Sequence, residues 1–142
     1  MGDRCWLSIT FRREDAEVVD MELDIGILTH DYDDHPDWQE VRVEEANYGF
    51  YLDRERLADL GIVFFGRHGS GSEYGEAVFC SIDGESHDVP SLHDIANIAE
   101  PCVAVRAHDR KPCPEGLAEV AAFYDAMDRI TELRKTRKYL VR

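Results

Sequence analysis

The stretch "IVFFGRHGSGSEYGEAVFCSIDGESHDV", Ile62 to Val89, decides the fold. Two apolar runs, Ile62 to Phe65 and Ala77 to Ile82, flank a glycine-rich connection, and Asp83-Gly84 has the composition of a type I′ turn leading into a third strand through Val89. Three consecutive strands with short connections predict an antiparallel meander. The connection itself lacks the Gly-Lys-Ser/Thr ending and following helix of a phosphate-binding loop, and neither Ser70 nor Ser72 sits in a G-x-S-x-G elbow. Its glycines most simply permit positive φ in a hairpin connection. The functional alternative is a polar recognition tip made of His68, Ser70, Glu73 and Tyr74.

Upstream of the meander, "CWLSITFR" alternates, with Cys5, Leu7, Ile9 and Phe11 on one face and Trp6, Ser8, Thr10 and Arg12 on the other, which predicts a half-buried strand. Trp6 then either packs under a helix or marks an interface. "EDAEVVDMELDIGIL" reads as a short acidic helix with Val18, Met21 and Ile25 inward and Gly26 as its stop. A second strand runs through Val41 and Val43. "YLDRERLADLG" predicts a helix capped by Asp53, facing inward with Leu57 and Leu60 and closed by Gly61.

Downstream, "SLHDIANIAE" predicts one or two helical turns and "CVAVRAH" a further strand. From Pro114, the residues Leu117, Val120, Ala121, Tyr124, Met127, Ile130 and Leu133 recur at three- and four-residue steps, the stripe of a long core-facing helix. The order of elements predicts an α+β two-layer sandwich over residues 1–142, a mostly antiparallel sheet with helices on one face, ferredoxin-like with additions. Residues 134–142 form a short basic tail on this single domain.

The formal net charge of −14 is unevenly spread. Between Glu14 and Glu45 thirteen acids face one base, Arg42. This acidity argues against direct binding of nucleic acid, whose phosphates it repels, and favours a basic protein or nucleoprotein complex as partner. The leading expectation is a small non-enzymatic binding module, one version of it a nucleic-acid mimic using the logic of acidic inhibitors of restriction or CRISPR complexes. Its contact residues are then Glu17, Asp20, Glu22, Asp24, Asp31, Asp33, Asp34, Asp37 and Trp38.

Two other readings compete with it. "THDYDDHPDW" offers His30, Asp31, Asp33 and His35 to a divalent metal, although it lacks the glycine and terminal glutamate of an EF-hand loop, and a hydrolase built on it would be metal-dependent or histidine-assisted. A homo-oligomer, most simply a dimer, would use Trp6 and the long C-terminal helix. The pairs His87-Asp88, His93-Asp94 and His108-Asp109 do not make acid/base dyads, because adjacent residues on a strand point to opposite faces. Cys5, Cys80, Cys102 and Cys113 include no CxxC pair and predict buried reduced thiols without zinc. No cofactor is expected. With no signal-like start and no apolar run near the roughly 20 residues of a membrane span, a cytoplasmic protein is expected.

Overall fold

The computed structural model describes residues 4–24, 35–71, 75–90 and 114–140, with side chains of the last segment described over 118–135. The helix and strand expected between Ser91 and His108 lie outside these residues, as do Cys102, Cys113 and the end of the basic tail. Strand β1 (Arg4–Arg12) passes through a 3-10 turn into helix α1 (Ala16–Leu23), and β2 (Trp38–Asn47) passes through a second 3-10 turn into α2 (Tyr51–Asp59). The meander β3 (Phe64–His68), β4 (Ala77–Ile82) and β5 (Glu85–Pro90) follows, and α3 (Pro114–Leu140) ends the described chain. The five strands form one sheet in the order β2-β1-β3-β4-β5, every neighbouring pair antiparallel. The fold is α+β, and among the described residues no helix is long and apolar enough to cross a membrane.

Local chemistry accounts for the strand pattern. Leu7, Ile9 and Phe11 are all but fully buried, as their alternation requires. The β1–β2 register slips between Cys5 and Leu7, which oppose Ala46 and Val43, so β2 carries one extra residue. That bulge returns Ala46 to the same face as Val41 and Val43, where strict alternation would have placed Glu45. Gly66 of β3 lies against β1 so closely that a Cβ there would collide with the Ser8 carbonyl. Asp83 and Gly84 both take positive φ, 56° and 81°, as the type I′ turn demands.

The helices do not share one face of the sheet. One core cluster joins Leu7, Ile9, Phe11 and Phe79 to Ala16, Val19 and Leu23 of α1 and Leu57 and Ala58 of α2. A second joins Val78, Cys80 and Ile82 to Phe123, Ala126 and Ile130 of α3. Phe79 and its neighbours Val78 and Cys80 point to opposite faces, so α1 and α2 cover one side and α3 the other. The expected two-layer arrangement is corrected for a physical reason: β4 is buried at every position, and an uncovered second face would leave Val78, Cys80 and Ile82 in water. Nor are β1 and β2 separated by another strand, as a ferredoxin-like split unit requires; they are direct antiparallel neighbours.

Each helix buries only part of the face its sequence suggests. In α1 the buried residues are Ala16, Val19 and Leu23, while Val18 is exposed and Met21 is 84% exposed. The 3-10 turn Arg13–Asp15 sets this phase, with Arg12 paired to Glu14 and Asp15, and the helix stops where Asp24 takes a left-handed conformation. In α2, Arg54, Leu57 and Ala58 are buried and Leu60 is exposed; Asp53 lies in the first turn and pairs with Arg56 without capping. In α3 the seam is Phe123, Ala126 and Ile130, flanked by partly buried Val120, Met127 and Leu133, whereas Ala121 and Tyr124 face outward.

Trp38 is fully buried and is no surface contact. It opens β2 on the α3 side, with the Phe65 ring 6.3 Å away and the Arg134 guanidinium 5.1 Å from its centroid. Trp6, by contrast, is 42% exposed near the start of β1, with Arg67 at 5.3 Å over its ring and Gly69 packed against it. Cys5 and Cys80 are free and buried, and burial pushes the Cys80 thiol up to about 12, so it stays protonated.

Candidate functional site

The acidic third of the sequence is only partly a free acidic face. Glu17 and Asp24 are exposed, and Asp20 and Glu22 half-buried, on α1. Glu22 accepts the Arg56 Nε–H at 2.9 Å, and Glu14 and Asp15 lie beside Arg12, so arginines from α2 and β1 answer part of the charge. Asp37 is half-buried, while Asp31, Asp33 and Asp34 lie outside the described residues. Of the suggested metal ligands, His30, Asp31 and Asp33 also lie outside them. His35 uses both ring nitrogens internally: Nδ1 accepts the Asp37 backbone N–H at 3.0 Å and Nε2 lies 3.0 Å from the Arg134 carbonyl. That commitment removes it as a ligand, and among the described residues no group of three His, Cys, Asp or Glu side chains is placed to hold a metal.

The recognition tip is also redrawn. Glu73 and Tyr74 lie outside the described residues, and Ser70 is exposed, but His68 is buried. As the last residue of β3 it points under α2, stacked on Phe79 at 6.2 Å. The Gly69 carbonyl lies 2.8 Å from its Nδ1, which therefore carries the ring proton. Burial, and then the nearby Arg54 charge, lower its pKa and hold it neutral; the Gly69 bond and the carboxylates of Asp88 and Glu76 oppose them.

Around His68 the structure assembles a site that no motif announces. A cavity of about 770 Å³ opens between the start of α2, the end of β2 and the rims of β4 and β5. Its floor is Arg54, whose side chain is only 5% exposed. Arg54 Nε donates to the Gly49 carbonyl at 2.8 Å, Nη1 to Asp88 Oδ2 at 2.8 Å, and the guanidinium lies 4.1 Å above the Phe79 ring. Nη2 is buried and has no hydrogen-bond partner among the described residues. A buried charged donor left open is expensive, so this atom marks a position where water or a ligand supplies an acceptor. Asp88 reaches this floor because it shares the Phe79 face of β5, while adjacent His87 pairs with Cys80 on the other, as the strand argument against His-Asp dyads expects.

The wall above Arg54 is held in an uncommon backbone conformation. Tyr48, Gly49 and Phe50 have φ of 51°, 59° and 55°, three successive residues in the left-handed region. Gly49 suits it; Tyr48 and Phe50 each store strain of order 1–3 kcal/mol. The turn carries the Gly49 carbonyl to Arg54 and presses Gly49 against His68, where a Cβ would lie 3.0 Å from Cδ2. It also turns Tyr48 and Tyr51 outward at the mouth, 44% and 47% exposed, beside Leu52 at 64%. A hydrogen bond to Glu55, together with the charges of Glu55 and Asp88, raises the Tyr51 pKa and keeps the phenol protonated.

Of these residues the sequence pointed only to His68. Arg54 sits in an ordinary helical segment, and its partner Asp88 is 34 residues away, with no local signal linking them. The comparisons with protein-family models, with curated proteins and with solved structures find no match to this chain, and the chemistry of the cavity is what remains to indicate a function.

Proposed function

We propose that the chain is a non-enzymatic binding module whose ligand enters the cavity at α2 and β5. The observation that carries this reading is Arg54 Nη2, a buried donor without a partner among the described residues at the floor of an aromatic-mouthed cavity. Ligand sites combine an apolar enclosure with a few placed polar groups, and backbone strain concentrates at them. Binding is favoured over turnover because the floor charges of Arg54 and Asp88 are already committed to each other. The test is a steric plug. A Cβ at Gly75, which lines the cavity, meets no atom of the described residues within 4 Å, so Gly75→Phe fills space without a clash with them at the point of attachment. A small aromatic fragment set, screened by ligand-observed NMR, should bind the native protein and lose those contacts in Gly75→Phe. Equal binding to both proteins would reject the cavity.

A second reading keeps the acidic face of α1 as a docking surface for a basic, nucleic-acid-handling protein in the cytoplasm. Met21, 84% exposed and sharing the outer surface with exposed Glu17, Val18 and Asp24, favours it, because an exposed apolar side chain in an acidic surround suits an interface. Retention of a basic protein that high salt releases, and that Glu17→Lys with Asp24→Lys abolishes, is the expected result. Retention indifferent to those reversals would reject this surface.

A further inference from the structure

We propose that the ligand of this cavity is an uncharged molecule presenting a carbonyl oxygen, as in an amide or lactam, on a flat apolar body, and that the isosteric carboxylate is rejected. The inference rests on reading the cavity as a ligand site and adds the chemical class.

The acceptor follows from hydrogen-bond accounting. A guanidinium has five N–H groups in a fixed fork, and in Arg54 Nε and Nη1 already have partners in Gly49 and Asp88. The open Nη2 lies beneath the α2 wall, with almost none of the side chain exposed. A ligand oxygen that reaches Nη2 supplies the acceptor that the described residues leave out. A ligand without an acceptor leaves Nη2 unsatisfied and loses that contribution.

The missing charge follows from electrostatics. A lone arginine would call for an anion, but Asp88 already neutralises this one at 2.8 Å. Asp53 and Glu76 also line the cavity, and the other cation among its described lining residues, Arg56, is held by Glu22 and Asp53. A carboxylate ligand would therefore share one guanidinium with Asp88 in a negative field, where like charges oppose each other. A cation meets the opposite difficulty, since it brings no acceptor and places positive charge against Arg54. A neutral molecule with an acceptor oxygen meets both conditions, and a carbonyl presents that oxygen in the plane of a flat body. The body is argued from the mouth, where the half-exposed rings of Tyr48 and Tyr51 and the exposed side chain of Leu52 form a largely apolar rim that suits a planar apolar group.

Benzamide, benzoate and benzamidinium share a ring and nearly one shape while differing in charge and acceptor, so they separate these possibilities. Each is titrated at neutral pH into the full chain and into Gly75→Phe, following the Arg54 Nε–H and the backbone amides of Gly49 and Tyr51 by NMR. Benzamide should shift these signals, bind about tenfold or more tightly than either charged analogue, and lose the effect in Gly75→Phe. Benzoate binding as tightly as benzamide would overturn the neutral-ligand inference while leaving the cavity a ligand site, and benzamidinium binding as tightly would do the same. Shifts with none of the three, or shifts that persist in Gly75→Phe, would overturn both the inference and the cavity.

Discussion

On the α3 side of the sheet, Val78, Cys80 and Ile82 of β4 meet Phe123, Ala126 and Ile130 in a seam of apolar side chains. On the other side, one residue along the same strand, Phe79 lies beneath a guanidinium and beside a histidine, next to a turn of three left-handed residues. The first face is what stability alone selects, burial without polar cost. The second accepts an ion pair, an open donor and backbone strain, each of which a merely stable fold would avoid. Departures of that kind concentrate where a protein binds or reacts. The contrast within a single strand is the physical ground for proposing a binding site on the α1/α2 face.

Truncation on each face measures the contrast first. Phe79→Ala carries the largest expected effect, about 3–5 kcal/mol in urea unfolding, because it opens a cavity and also removes the ring under Arg54 and His68. Ile130→Ala should cost about 2–5 kcal/mol by the cavity mechanism alone and leave fragment binding intact. A Phe79→Ala protein that still binds fragments normally would break the link between that ring and the site.

Arg54→Met comes next, near the lower end of about 3–5 kcal/mol, since it strands Asp88, whose side chain is 26% exposed and partly hydrated. Adding Asp88→Asn should recover part of the loss, and a double variant no more stable than the single would show that the two residues are not an ion pair in solution. A smaller effect is expected from pH. His68 has a folded pKa below its ordinary value through burial, so the unfolded chain takes the proton first as pH falls below about 6.5. Stability from this group is complete above that pH and declines toward the lowered folded pKa. Replacing the imidazole in His68→Gln should flatten that part of the stability profile, and an unchanged slope would assign it to other groups. The smallest effect belongs to Leu60→Ser, within about 0.5 kcal/mol, because Leu60 is 64% exposed where the helical pattern had placed it inward.

The α2 segment shows how far the sequence could be read. The helix and its Gly61 end were legible, and Leu57 was correctly inward, but Arg54 at the centre of the site was not. A charged residue in a helix reads as solvated unless its partner is known, and Asp88 lies on the third strand after it, 34 residues away. In α1 the period of 3.6 was visible while its phase was not. Ala16, Val19 and Leu23 form as good a stripe as Val18, Met21 and Ile25, and only the 3-10 turn before α1 chooses between them. Trp38 follows the same logic: an aromatic among aspartates looks like a surface anchor until α3 is laid over it. One missed feature was present in the sequence, since "AVFCSI" has no exposed-face residues and so required cover on both sides.

By itself, the sequence determined what depends on near neighbours in the chain: the alternation of β1, the meander with its Asp83-Gly84 turn, the existence of the helices and the acidic charge. Tertiary structure alone decided which face of the sheet each helix covers and that Arg54, Asp88, His68 and Gly49 meet. The physical reason is one of range. Periodicity and turn chemistry act over two to four residues, whereas contacts across a sheet are set by strand order and by the burial of both faces at once.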